Sequence, residues 1–150
     1  MCTSDSFNTK FKNFADRLGE QMRALIVESN LELARIWTGH LERMNINVTC
    51  AETGHRALNL VQNRHYDVIV IDLDLKKGSA LVVADLAQFH QPDANVVFVT
   101  DTSFFSDGSI FRHSANVRAF VETRTPPCDL AAIVHHYGTS SRAHAAHQAY

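Results

Sequence analysis

Tyr66 to Gly78 reads YDVIVIDLDLKKG, and this stretch decides the fold. Val68 to Ile71 is an unbroken apolar run, the pattern of a strand covered on both faces of its sheet. The run then meets Asp72, one leucine and Asp74. Carboxylates at the rim of a core are costly unless they are paired, hydrogen-bonded or bound to a metal. The end of this strand is therefore a candidate site.

Strand-like and helix-like segments alternate on either side of it. RALIVE (23–28), NVTC (47–50), DVIVID (67–72), NVVFVT (95–100) and RAFVE (118–122) read as strands. NLELARIWTGHLERM (30–44), GHRALNLVQNR (54–64), SALVVADLAQFH (79–90) and a weaker stretch from Phe104 to Ser114 read as helices. A last helix begins near Pro127, a residue suited to a first helical turn, with Leu130, Ile133, Val134 and Tyr137 on one face. Asn45 and Asn116 each stand between a helix and a strand, where a left-handed residue is wanted. Five βα units with two-sided apolar strands predict an α/β fold, a doubly wound five-stranded parallel sheet with helices on both sides. Ligands of such sheets sit at the carboxyl ends of the strands, where the strand order reverses. Glu28, Asp72 and Thr100 end the first, third and fourth strands, so the fold would gather them into one crevice.

Composition limits what that crevice can serve. The chain has 150 residues, 45% hydrophobic and 20% charged, with a formal charge of −2. That balance suits one globular domain and gives no electrostatic case for nucleic acid. No apolar run approaches the roughly 20 residues of a membrane span. The opening MCTSDSFNTKFKNF lacks the layout of a signal peptide, so a cytoplasmic protein is expected. Cys2, Cys50 and Cys128 are far apart, without metal-type spacing, and read as free thiols.

The two ends read differently from the body at 22–137. Residues 1–21 form an amphipathic helical extension, with Phe7, Phe11, Phe14 and Leu18 on one face. That stripe either covers part of the domain's own core or is offered to a second copy or a partner. Residues 138–150 read as a flexible tail. In it His144 and His147 are three apart, but two histidines make only half a zinc site.

In ALIVESN (24–30), NVTCAETGHRALNLV (47–61), DVIVIDLDLKKGSAL (67–81), VVFVT (96–100) and ANVRAF (115–120), the chain resembles the receiver domain of bacterial response regulators, the chemotaxis-regulator type. The resemblance covers about residues 22 to 137. It implies the flavodoxin-like strand order 2-1-3-4-5. It also implies that Asp72 is the phosphoacceptor, with a histidine kinase or phosphotransfer protein as donor. Glu28 corresponds to the first of two acidic residues that hold Mg²⁺, and Asp74 would lend its backbone carbonyl, with its side chain turned to solvent. Thr100 corresponds to the hydroxyl that bonds a phosphoryl oxygen, and Phe120 to the switch aromatic. The residue types suit the chemistry, because a carboxylate attacking an anionic phosphoryl group needs a cation to offset the repulsion.

The chain departs from the family at two positions. Ser29 stands at the second acidic position, and Thr123 at the position of a lysine, with Arg124 in place of the proline after it. Mg²⁺ affinity is therefore expected to be weakened. Glu28 and Asp72 without a lysine sum to −2, the same as three acids with one lysine. Asp101, directly after Thr100, is a further candidate carboxylate for the crevice, although strand alternation points it away. With no proline at 124, a cis bond would cost about 2.5–4 kcal/mol, so Thr123–Arg124 should be trans. Gly108 falls inside the expected helix between Thr100 and Phe120, at a cost of roughly 1 kcal/mol against alanine. In receivers this helix, the fifth strand and the last helix form the output face.

Three functions remain open. The first is a single-domain receiver in two-component phosphorelay signalling, not an enzyme, whose output is protein–protein interaction with a downstream partner. Self-association would use the N-terminal helix or the output face. The second is a phosphorylation-independent module for interaction or dimerisation. The third is a phosphatase with an Asp-x-Asp nucleophile, which IDLDL superficially resembles, although Leu75 and Lys76 follow and no later acidic pair is present.

Overall fold

The computed structural model describes residues 21–101 and 117–148. The stripe from Phe7 to Leu18, Asn116 and the stretch from Phe104 to Ser114 lie outside them. Five strands form one parallel sheet: β1 (Met22–Val27), β2 (Ile46–Ala51), β3 (Val68–Asp72), β4 (Asn95–Thr100) and β5 (Val117–Glu122). Their order is β2-β1-β3-β4-β5, as expected. The described helices are α1 (Leu31–Arg43), α2 (Gly54–Asn63), α3 (Ala80–His90) and α4 (Pro127–Gln148).

The apolar runs of β1, β3 and β4 are explained by burial on both faces. Leu25, Val27, Ile69, Ile71 and Phe98 meet Leu60 and Val61 of α2 and Val83 and Ala87 of α3. The alternate residues Ala24, Ile26, Val68, Val70, Val97 and Val99 meet Trp37 and Leu41 of α1 and Leu130 and Val134 of α4. Side chains alternate across a strand, so both sets must be apolar. The edge strands β2 and β5 are covered less completely and carry more polar residues.

Helices α1, α2 and α3 each start beside the carboxyl edge of the sheet, on a polar cap. Asn30 Oδ1 accepts from the amides of Glu32 and Leu33, Thr53 Oγ1 from Arg56, and Ser79 Oγ from Val82. Each cap satisfies amides that the first helical turn leaves without partners. Asn45 follows α1 with φ of 63°, the left-handed conformation expected of it.

The last helix differs from the sequence reading. It runs on to Gln148, so residues 138–148 continue α4 and do not form a separate tail. Contacts distant in sequence explain this. Asn95 Nδ2 donates to the Tyr137 carbonyl at 2.8 Å, and the Ser141 hydroxyl donates to the Asp93 carbonyl. Gly138, lacking a side chain, lets the Met22 thioether lie directly against the helix. The backbone of His144 and His147 is helical, and their side chains lie outside the described ones.

Candidate functional site

The strand order reverses between β1 and β3, and the crevice opens there. Glu28 directly follows β1, and its own amide donates to the Ala51 carbonyl at 3.0 Å. Its side chain is buried, only 3% exposed, with Oε2 accepting from the Asn30 amide at 3.0 Å. Oε1 is buried with no hydrogen-bond partner. Burial, then contact with the Asp72 carboxyl, pushes the Glu28 pKa up to about 8. The two carboxyl groups touch, and neither has a donor to offer unless one holds a proton.

Asp72 ends β3, half-buried, and its Oδ1 accepts from the Asp74 amide at 2.9 Å. The Leu73 amide donates to the Val99 carbonyl at 2.8 Å, extending the β3–β4 ladder past the aspartate. Thr100 is fully buried at the end of β4. Its carbonyl accepts from the Thr123 amide at 2.9 Å, which brings Thr123 to the crevice. Phe120 packs on Phe98, ring centroids 5.4 Å apart. The structure thus gathers Glu28, Asp72, Asp74 and Thr100 at one edge, with Thr123 beside them.

Three features differ from the sequence reading. Asp74 is exposed as a residue, yet its carboxylate turns inward far enough for the Thr100 hydroxyl to donate to it at 3.5 Å. Asp101 does not point away: its carboxyl is in contact with that of Asp74. Burial, then the charges of Asp72 and Asp101, raise the Asp74 pKa. Alternation fails at Asp101 because β4 ends at Thr100, and the backbone bends there. The −2 sum therefore undercounts the crevice, which holds two carboxyl pairs, Glu28 with Asp72 and Asp74 with Asp101.

The third difference is Ser29, which has a structural task. Its hydroxyl donates to the Glu52 carbonyl at 3.3 Å and accepts from the Lys76 amide at 3.0 Å. It straps the loops after β1, β2 and β3 together. Nothing in the local sequence signals this, because Lys76 is 47 positions away. The loops are held a second way by Gly54 and Gly78. The Gly54 amide donates to the Lys77 carbonyl at 2.8 Å, and Gly78 has φ of 101°. A Cβ on Gly78 would stand 2.7 Å from the Gly54 Cα.

Neither departure at 123–124 restores a positive charge. Thr123 has none, and the Arg124 side chain is 88% exposed, 4.0 Å from the Glu122 carboxylate. No cis peptide bond occurs among the described residues, as expected for Thr123–Arg124.

Whether a divalent ion fits depends on the donors. No three side chains of His, Cys, Asp or Glu converge as a ready metal cage among the described residues. The buried, donorless Oε1 of Glu28, beside a second carboxyl, is nevertheless an electrostatic gap that a cation would fill. Mg²⁺ takes a few carboxylates together with carbonyls and waters, so Glu28, Asp72 and the Asp74 carbonyl are a fitting, if thin, donor set.

Known proteins share this fold. The family description "response regulator receiver domain" matches residues 24–121. A search of curated proteins found no match. Among solved structures, a CheY-like receiver domain from Methanospirillum hungatei is similar at 18% identity and a TM-score of 0.75, covering 83% of this chain and 98% of its own. The N-terminal domain of a response regulator/sensory box/GGDEF protein from Carboxydothermus hydrogenoformans is 23% identical, with a TM-score of 0.72 and coverage of 82% and 98%. The response regulator TrrA of Thermotoga maritima, solved with Mg²⁺ and BeF, is 20% identical, with a TM-score of 0.68 and coverage of 77% and 98%. At these identities the likeness speaks for the fold, and the family match speaks for more. With its two-sided parallel sheet and its carboxyl-lined switch point, the chain belongs to the response regulator receiver domain family.

Proposed function

We propose that this receiver accepts a phosphoryl group on Asp72 and passes the signal on by binding another protein. The observation that carries this reading is the contact of Glu28 with Asp72 around an oxygen without a donor. Two touching carboxyls contribute nothing to packing, and apolar side chains of similar size would serve stability better. Their presence at the switch point makes sense where a cation and an incoming phosphoryl group use them.

In the transfer, an Asp72 carboxylate oxygen forms the new bond to phosphorus. The bond to the donor's histidine nitrogen, or to an acyl oxygen, breaks, and its electron pair leaves with the donor. Mg²⁺ would be held by Glu28, Asp72 and the Asp74 carbonyl, and would supply charge neutralisation there. Thr100 turns its hydroxyl from Asp74 to a phosphoryl oxygen, which frees the Asp74–Asp101 pair. Thr123 at the lysine position offers a hydroxyl but no charge, so the transfer is slow. The donor is a histidine kinase or phosphotransfer protein. The output face includes β5 and α4, with Phe120 responding to Thr100.

The test is the intact mass of acid-quenched protein after incubation with acetyl phosphate, with and without Mg²⁺, beside Asp72→Asn. One phosphoryl adduct requiring both Asp72 and Mg²⁺ is expected. No adduct even at high Mg²⁺ overturns the proposal.

One observation favours a second reading. Ser29 is committed to two loops, and no charge stands at position 123, which suits a phosphorylation-independent interaction module. In that case Asp72→Asn binds its partner unchanged, with or without phosphodonor.

A further inference from the structure

Helix α3 carries more apolar surface than the sheet uses. Its sequence, Ala80–His90, reads ALVVADLAQFH. Ala80, Val83, Ala84 and Ala87 are buried in the core. On the opposite side Val82, Leu86 and Phe89 stand at spacings of four and three, so they share one outward face. Val82 is 51% exposed and Phe89 80% exposed, with Leu86 half-buried between them. A helix that is apolar all round is normally covered on every side, by protein or by lipid. With 11 residues α3 is too short to cross a membrane, so the cover is protein. Helix α1 offers no such face, because its exposed Leu31, Ile36 and Met44 stand five and eight apart and form no stripe.

The chain itself supplies a matching stripe. Phe7, Phe11, Phe14 and Leu18 stand at spacings of four, three and four. As a helix, residues 7–18 would run about 18 Å, against about 16 Å for α3.

The point where this segment joins the domain favours α3. The Arg23 carbonyl, near the start of β1, accepts from the Asp67 amide at 2.8 Å. The neighbouring Tyr66 amide donates to Gln91 Oε1 at 2.8 Å, and Gln91 caps the end of α3 two residues after Phe89. The start of β1 therefore lies at the Phe89 end of α3. The chain from Leu18 to Met22 can reach about 13–14 Å, more than the roughly 10–12 Å diameter of a helix.

We propose that residues 7–18 pack as a helix along the outer face of α3 in the same chain, Leu18 beside Phe89 and Phe7 towards Ala80. The contact is apolar stripe on apolar stripe. It is separate from the Asp72 crevice and does not depend on phosphoryl transfer.

The experiment is limited trypsin digestion of the full chain, with cleavage after Lys10, Lys12 and Arg17 followed by mass spectrometry. Cleavage there tracks how often the segment leaves α3, so it should be about tenfold or more slower than in a free peptide of residues 1–21. Phe89→Ser and Phe14→Ser should each restore most of that rate. The double variant should be no faster than the faster single one, because both open the same contact. Ile36→Ser, at an exposed apolar position of α1, should leave the rate unchanged. The proposal is overturned if the wild-type segment is cut as fast as the peptide, if Phe89→Ser has no effect, or if Ile36→Ser acts equally. It is also overturned if protection grows with protein concentration over about a hundredfold range, which would make a second copy the occupant.

Discussion

The carboxyl groups of Glu28 and Asp72 are in contact at the switch point, and Oε1 of Glu28 has no donor. The pair needs either a proton or a cation, and solution pH decides which. Glu28 has a folded pKa of about 8, above its ordinary 4.5, so the folded chain holds this proton more tightly than the unfolded one. The stabilisation it lends is complete below 4.5 and is lost as pH rises towards 8. The slope cannot exceed about 1.4 kcal/mol per pH unit for one proton. Urea melts across this window should show stability falling with pH, the fall flattened in Glu28→Gln and reduced by Mg²⁺. A wild-type profile parallel to that of Glu28→Gln would show that the proton is not held there.

Ser29→Ala should destabilise the domain by about 1 kcal/mol, because the Glu52 carbonyl and the Lys76 amide each lose a partner. Ser29→Asp can still accept from Lys76 but cannot donate to Glu52. It should therefore gain Mg²⁺ affinity several-fold over wild type while melting at a lower urea concentration. Urea midpoints and Mg²⁺ titrations of both variants separate the two roles of this position.

Gly78→Ala combines a left-handed backbone with a Cβ placed 2.7 Å from Gly54 Cα. Backbone strain of this kind costs about 1–3 kcal/mol before any clash is counted. The expected loss is at least about 2 kcal/mol in urea unfolding, with a matching fall in melting temperature. A neutral result would mean that the two loops can separate freely.

Thr123→Lys puts a cation beside a crevice that holds two carboxyl pairs. The rate of acetyl phosphate labelling at Asp72 should rise about tenfold or more, since preorganised charge at the transferring group is among the larger contributions to such rates. Arg124→Lys should change nothing, because that side chain stands in solvent. Quenched-flow mass spectrometry of both variants measures this directly.

Much of this was readable in the chain. Val68 to Ile71 and Val96 to Val99 reveal two-sided burial without any structure, and strand ends in such a sheet indicate where Glu28, Asp72 and Thr100 meet. The parts that were not readable share a cause. The direction of Asp101 was misjudged because alternation holds only inside a strand, and β4 stops one residue earlier. The Ser29 strap and the extension of α4 depend on Lys76, Asp93, Asn95 and Met22, partners far away in the chain that leave no local pattern.

The side chain of Asn95 reaches in two directions at the start of β4, accepting from Arg118 Nε at 3.0 Å and donating to the Tyr137 carbonyl. At the other end of the same strand, Thr100 receives the Thr123 amide. The register of β5 against β4 slips between Val96 and Val97, where Arg118 is the extra residue. Strand β5 is thus tied to β4 at both ends, and its one irregularity, Arg118, lies at the Asn95 end. From Ala119 to Glu122 the two strands are zipped together, so a tug on Thr100 carries Phe120 with it, and the first place the pair can give is the hinge at Arg118, next to the anchor on α4.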